Sequence, residues 1–459
     1  MSSRRADLAA IAVTNRPKTN ALVALRTIVA LVLVGFITHS TNAGSGDEPH
    51  YLAIAHSIAF DGDVDLANNY GSNEPLIAGG GLAPENHVHQ GAGGVARPVH
   101  DVGLPLLFAP VARVLKPLAG WLSATAPESL MRRAKLTPTV LYRHLISLVM
   151  IAIATWMAGV LFQTCLELGA SMRAAFGTTL IAVLSPPLLV HSTLFFTELP
   201  SAAVALFVFR RTHPSLPASS SGWLLVGVAI GLLVLLHVRN AGLAIALALL
   251  AFGAARTQAA RPHKALALIG GLALLLLVRT GVNHVFWGTW VTTPHAALGQ
   301  PAGIAATARE AGIRLAGIAI DQEFGLLPYA PILLLVPIGL ATMRDRQVAA
   351  GIVFASACYI APILWPVTNV HGWIGGWSPA ARFMVPIVPL LALALPAAFL
   401  YIPRMLLAVL IVLQIGIDAY MWQNPKNLWN DGDGVAAVCD RGGFRFCGAL
   451  PSVTKWGGS

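Results

Sequence analysis

The sequence predicts an all-α polytopic membrane protein of about eleven transmembrane helices, and three observations carry that reading. Hydrophobic residues make up 56% of the 459 and charged residues only 11%, with a mean hydropathy of +0.69. A soluble domain carries about twice that charge fraction. Apolar stretches of spanning length recur at roughly 21–38, 140–163, 175–194, 197–210, 222–238, 240–255, 265–282, 326–341, 348–365, 384–401 and 403–421. Threading the membrane through these eleven puts Arg210/Arg211, Arg256/Arg261/Lys264, Arg344/Arg346 and Arg404 on the side of the basic N-terminus, as cytoplasmic loops require.

The first element follows Arg4, Arg5, Arg16 and Lys18. Thr41-Asn42-Ala43 is a passable cleavage site, but a chain that is apolar throughout favours an uncleaved signal-anchor helix behind a cytoplasmic segment 1–20. The next candidate, 103–120, decides the map. If it spans, four basic clusters change sides; if it does not, only Arg132, Arg133 and Lys135 are misplaced. Pro105, Pro110, Arg113, Lys116 and Pro117 also suit an amphipathic helix lying in the interface. The membrane domain therefore runs over 21–421, with long outer loops at 40–139, 283–325 and 366–383 and an outer tail at 422–459. Loops this long are usually functional rather than connective. Ser215 to Ser221 is a small-residue linker on the cytoplasmic side.

The net charge of +10 and pI near 9.8 come from basic residues scattered between apolar segments, which excludes a nucleic-acid-binding face. Of four cysteines, Cys165 and Cys358 lie in or beside apolar runs and read as small hydrophobes. Cys439 and Cys447, in an outer tail with Gly442-Gly443 between them to turn the chain, are expected to form a disulfide.

The polar residues gather in the outer loops. Asp47 and Glu48 stand where the first helix leaves the bilayer, followed by His50 and Tyr51. Carboxylates there are costly unless water or partners receive them, so they mark either a solvated loop or a site. Asp61-Gly62-Asp63-Val64-Asp65 starts like a calcium loop, but Leu66 and Ser72 replace its glycine and glutamate, leaving a surface turn. His87, His89, His100 and Asp101 lead into the interfacial helix. Imidazoles with carboxylates could bind a divalent metal, although their spacing does not show one. Glu198 falls at the outer mouth between two spans, either snorkelling or facing a cavity. Arg239, alone in an apolar pair of spans, and Arg382, after the glycine-rich Gly375-Gly376 turn, are candidate phosphate ligands.

Asp47-Glu48-x-x-Tyr51 after the first span resembles the acidic motif of the C-type (GT-C) membrane glycosyltransferases that use a polyprenyl-phosphate sugar. Within them it is similar to the protein O-mannosyltransferase and lipid A aminoarabinose transferase group. The interfacial helix after His100, Ser185-Pro186-Pro187 before Glu198, Gly325-Leu326-Leu327-Pro328-Tyr329-Ala330-Pro331 and Gly375-Gly376 before Arg382-Phe383 extend the likeness over nearly the whole chain. The resemblance implies a GT-C-like fold in a bacterial inner membrane, an extracytoplasmic active site, and transfer of a sugar to a hydroxyl of an envelope glycan, lipid or protein.

The residues fit that chemistry. A polyprenyl-phosphate sugar already has a good leaving group, so one carboxylate to take the acceptor's proton and cations to neutralise the phosphate suffice. Asp47 is the expected base, with Glu48 beside it positioning acceptor or metal. Tyr51, His100, Asp101 and Glu198 are expected at the substrates, with Arg239 and Arg382 on the lipid phosphate. A lipid-linked sugar flippase or transporter is the alternative, in which the same charges mark a substrate path.

Overall fold

The computed structural model describes residues 2–39, 46–71, 87–213, 219–257, 263–290, 304–305, 307–364, 366–367, 373–376, 378–429, 435–443 and 448–457. Positions 41–43, His371, Trp377 and Cys447 lie outside them. The fold is all-α and polytopic; among the described residues the strands are two short antiparallel pairs, β1 (Val88–Gln90) with β2 (Ala96–Pro98) and β3 (Ile304–Ala305) with β4 (Pro366–Val367).

Every apolar segment is helical, but prolines cut several of them. The run 175–194 becomes α7 (Met172–Leu184) and α8 (Pro186–His191), because Pro186 holds Ser185 extended at ψ 149°. Pro331 and Pro337 reduce 326–341 to a 3-10 turn, Pro331–Leu335, and a short helix, Val336–Thr342. Pro386, Pro389 and Pro396 divide 384–401 into a 3-10 turn, Arg382–Ile387, and two short helices, Val388–Ala392 and Leu395–Ala398. Among the described residues, seven helices are long and apolar enough to cross a membrane by length and composition, and four shorter apolar ones accompany them.

The seven include α4 (Gly103–Thr125), which the charge distribution assigned to the interface. By length and composition it qualifies as a span, and its side chains divide into two faces. Arg113 donates to the Ala59 carbonyl and Lys116 lies over the Phe60 ring, while Leu107, Val114, Leu118 and Trp121 are exposed along a helical stripe.

The broken segments need their backbone groups satisfied inside the bundle. Gln414, from α18 (Arg404–Gln423), does this at the turn that opens on Pro331. Its carbonyl oxygen accepts from Ile332 N–H at 3.3 Å and its amide donates to the Tyr329 carbonyl at 3.2 Å. Elsewhere small residues let helices touch. A Cβ at Gly227 of α10 (Ser220–Leu236) would stand 2.0 Å from the Leu268 carbonyl of α12 (His263–Trp287). Outward, Leu277, Met405, Val409 and Val412 are exposed, which suits a lipid-facing surface.

Candidate active site

The site is assembled where the broken helices end. The N-terminus of α2 (Glu48–His56) brings Asp47; the start of α9 (Glu198–Arg211) brings Glu198; the gap between α10 and α11 (Ala241–Thr257) brings Arg239; and the 3-10 turn after the Gly375-Gly376 segment brings Arg382.

Arg382 holds this assembly together. Its Nε donates to Glu198 Oε1 at 2.6 Å, its Nη2 to Asp47 Oδ2 at 2.5 Å and its Nη1 to the Gly375 carbonyl at 3.0 Å, with the guanidinium over the Phe196 ring. The backbone is shaped for this grip: Gly375 has φ 85°, and Ala381, immediately before Arg382, has φ 57°. A left-handed alanine is strained and persists only where its surroundings hold it; here its N–H is bonded to the Phe324 carbonyl at 3.0 Å.

Glu198 sits between two guanidiniums, since Arg239 Nη1 lies 3.6 Å from the same oxygen and Arg239 itself stacks 3.7 Å above the Phe383 ring. It is also the first residue of α9, where the helix dipole favours negative charge. The exposures differ: the Glu198 side chain is 2% accessible and Arg382 4%, whereas Asp47 is 24% and Arg239 20%. Burial alone would raise the Asp47 pKa, but Arg382, with His100 adding to it, holds the carboxyl well below the usual range. Tyr51 is buried beside them, and burial together with the Asp47 charge raises its pKa, so it stays a neutral phenol.

A second cluster of stacked imidazoles covers Asp47. His50 stacks on His87 with ring centroids 3.5 Å apart, His87 Nδ1 and His100 Nε2 share a hydrogen bond of 2.8 Å, and His50 Nδ1 meets the Tyr70 hydroxyl at 2.5 Å. Burial, then the neighbouring His87 and His100, pulls the His50 pKa down to about 3. One nitrogen of His87 meets one of His100 and a His50 nitrogen meets Tyr70, and among the described residues no group of three His, Cys, Asp or Glu is arranged to hold a metal ion. The divalent metal that these residue types suggested has no such donor set among the described residues.

The structure therefore gathers Asp47, Glu198, Arg239 and Arg382, with Tyr51 and His100 alongside, as the sequence suggested. It uses Glu48 and Asp101 differently. Glu48 accepts from Arg143 Nη2 at 2.6 Å and from Phe195 N–H at 3.0 Å, tying α2 to α6 (Pro138–Glu167). Asp101 accepts from Arg279 Nη1 at 2.6 Å and Val238 N–H at 2.9 Å. Both carboxylates expected at a substrate have each oxygen committed to a protein donor. Their partners, Arg143 and Arg279, were missed; an arginine inside an otherwise apolar segment is the signal that would have found them.

The crystal structure of ArnT from Cupriavidus metallidurans bound to undecaprenyl phosphate superposes on this chain with a TM-score of 0.50. The match covers 91% of this chain and 68% of that one at 14% identity. The chain has a GT-C-like fold. No family model matches it, and no curated protein matches it in sequence. The GT-C-like architecture makes it a multi-pass membrane protein and agrees with the resemblance read from the Asp47-Glu48-x-x-Tyr51 segment.

Proposed function

We propose that the protein transfers a hexosyl or pentosyl group from a polyprenyl-phosphate donor to a hydroxyl of an envelope glycan, lipid or protein, at the outer face of a bacterial inner membrane. The observation that carries this reading is the joint grip of Arg382 on Asp47 and Glu198, with the more accessible Arg239 beside them. The GT-C-like fold, shared with a protein that binds undecaprenyl phosphate, supports it. The outer placement is supported by the charge distribution and by Cys439, which is disulfide-bonded while Cys165 and Cys358 are free.

Accessibility divides the roles. Asp47 is the carboxylate an acceptor can reach; Glu198, enclosed by two arginines, holds them in place. In the resting site Asp47 is a weak base, because Arg382 stabilises its charge. A donor phosphate entering beside Arg239 competes with Asp47 for Arg382, and as that ion pair loosens Asp47 gains basicity. The acceptor oxygen then attacks the anomeric carbon while its proton passes to Asp47. The carbon–oxygen bond to phosphate breaks, and its electron pair leaves on the phosphate, where both guanidiniums neutralise it. Purified protein in sealed proteoliposomes, given a panel of undecaprenyl-phosphate sugars and envelope acceptors, tests this. Transfer or release of labelled sugar is the expected result; movement of donor across the bilayer without either establishes a flippase instead.

A further inference from the structure

The cation that this reading places on the donor phosphate, Arg239, sits in a break in the bundle. α10 ends at Leu236 because His237 is extended, at φ −162° and ψ 132°, and the chain resumes as the 3-10 turn Val238–Asn240 before α11. A break of this kind leaves carbonyls of the last helical turn and the amides beyond it without helical partners, which is costly where water is scarce. Two side chains from elsewhere close it. Arg279 Nη1, from α12, donates to the Val234 carbonyl at 2.8 Å; Asp101 Oδ2 accepts from Val238 N–H at 2.9 Å. The two are joined to each other by a 2.6 Å ion pair, with side chains 7% and 8% accessible.

The loop carrying Asp101 is pressed against the break. A Cβ on Gly103 would stand 2.2 Å from the Leu235 carbonyl, so only glycine lets the start of α4 lie this close. His237 contributes from its own side: its Nδ1 accepts from Arg239 N–H at 3.1 Å and lies 3.7 Å from Asp101 Oδ2. The residue before Asp101 is His100, of the imidazole cluster over Asp47.

We infer that Arg279 and Asp101 are positioning residues: a buried ion pair that splints the α10–α11 break and thereby fixes Arg239 for the donor phosphate, in register with His100 above Asp47. Neither residue need touch substrate. The role rests on the transferase reading, because it acts through Arg239. Without the splint, a continuous or re-paired helix end would turn Arg239 away from its place 3.6 Å from Glu198 and over Phe383.

The test is a paired substitution in the full-length protein in nanodiscs. Arg279→Met with Asp101→Asn removes both charges and strands neither, and the asparagine carbonyl still accepts from Val238. The double variant is expected to unfold near the wild-type temperature while the apparent KM for an undecaprenyl-phosphate sugar rises about tenfold and kcat changes little, the pattern of a displaced binding group. Arg279→Met alone leaves a buried carboxylate unpaired and should lose stability as well, with Arg279→Lys recovering part of both losses. If the double variant does not fold, Arg279→Lys alone, which keeps the charge pair but not the guanidinium geometry, provides the KM readout. A folded variant with wild-type KM overturns the role, as does a fall in kcat with KM unchanged. Absence of transfer by the wild type removes the transferase reading and this role with it; wild-type transfer with an unaltered variant removes the role alone.

Discussion

The two ends of α9, about 20 Å apart along its axis, each carry an arginine–carboxylate pair, yet they are different objects. At one end Glu198 meets Arg382 with both side chains nearly inaccessible and a third charge, Asp47, on the same guanidinium. At the other, Arg210 binds Glu167 through two parallel hydrogen bonds of 2.9 and 2.5 Å, with side chains 19% and 27% accessible, and His213 lies 3.7 Å from Asp345. The Arg210 end has the better geometry for a bidentate pair and opens on a cavity of about 250 Å³ lined by Phe209, Leu249, Leu250, Gly253 and Val348. Pair geometry alone would point to the Arg210 end. What distinguishes the Glu198 end is desolvated, shared charge, which folding alone gains little from keeping: a buried ion pair is often no more stabilising than apolar residues in its place.

If that contrast is right, substitutions at the Glu198 end should abolish chemistry and those at the Arg210 end should not. The largest effect belongs to Asp47→Asn. An amide of the same shape cannot take the acceptor's proton, so transfer should fall by about three orders of magnitude or more. Binding of undecaprenyl phosphate, read by native mass spectrometry, should stay within a few-fold of wild type. Activity near wild type would remove Asp47 from the base role.

Next in size is Arg382→Met. It leaves Asp47 and Glu198 facing each other with one of their cations gone, and breaking a buried pair from one side costs about 3–5 kcal/mol. The thermal midpoint should drop accordingly and donor binding should weaken. Arg382→Lys should lose less stability but still bind the phosphate less well, since an ammonium cannot make the two parallel bonds of a guanidinium. An Arg382→Met protein as stable as wild type would mean that the near end is solvated like the far one.

Much of this site was legible in the sequence, because a charge in an apolar context stands out. Asp47, Glu198, Arg239 and Arg382 come from positions up to 335 residues apart and yet converge. What could not be read was which arginine each carboxylate meets, since Asp47 and Glu198 are paired as well. Glu48 and Asp101 look as free as Asp47 in one dimension; their partners lie 95 and 178 residues away, in α6 and α12. The helix breaks were half visible. Prolines announce those at Ser185 and Ala330, whereas the one at His237 has no proline, is marked only by Arg239 between two apolar runs, and is closed by the Arg279–Asp101 pair, a tertiary cause. The histidines suggested a metal by type alone, whereas packing turned their rings into a stack.

That stack gives the Asp47 end an acid sensitivity. His50 is held near pH 3 in the fold against an ordinary value of 6.5, so the unfolded chain binds its proton first, and stability falls as pH drops from about 6.5 toward 3. Asp47, lowered from 3.8, adds to the loss only below that value. Thermal unfolding across this range should show a slope that His50→Gln reduces between pH 6.5 and 4. A slope unchanged by His50→Gln would place its origin elsewhere.

The smallest effects are expected at the Arg210 end, and they decide whether the contrast is real. Glu167→Gln removes one charge of a pair that solvent screens, so it should cost less than about 1 kcal/mol and leave transfer within twofold. Gly253→Leu goes further by filling the cavity itself. A Cβ at Gly253 meets nothing within 4 Å, so the side chain has room, and a helix interior gains up to about 1 kcal/mol when glycine is replaced by a good helix former. The variant should be as stable as wild type or more so, with unchanged kcat and KM. Slowed transfer in a folded Gly253→Leu protein would show that the cavity takes part in the reaction cycle, and the two ends of α9 would then have to be treated as one coupled device.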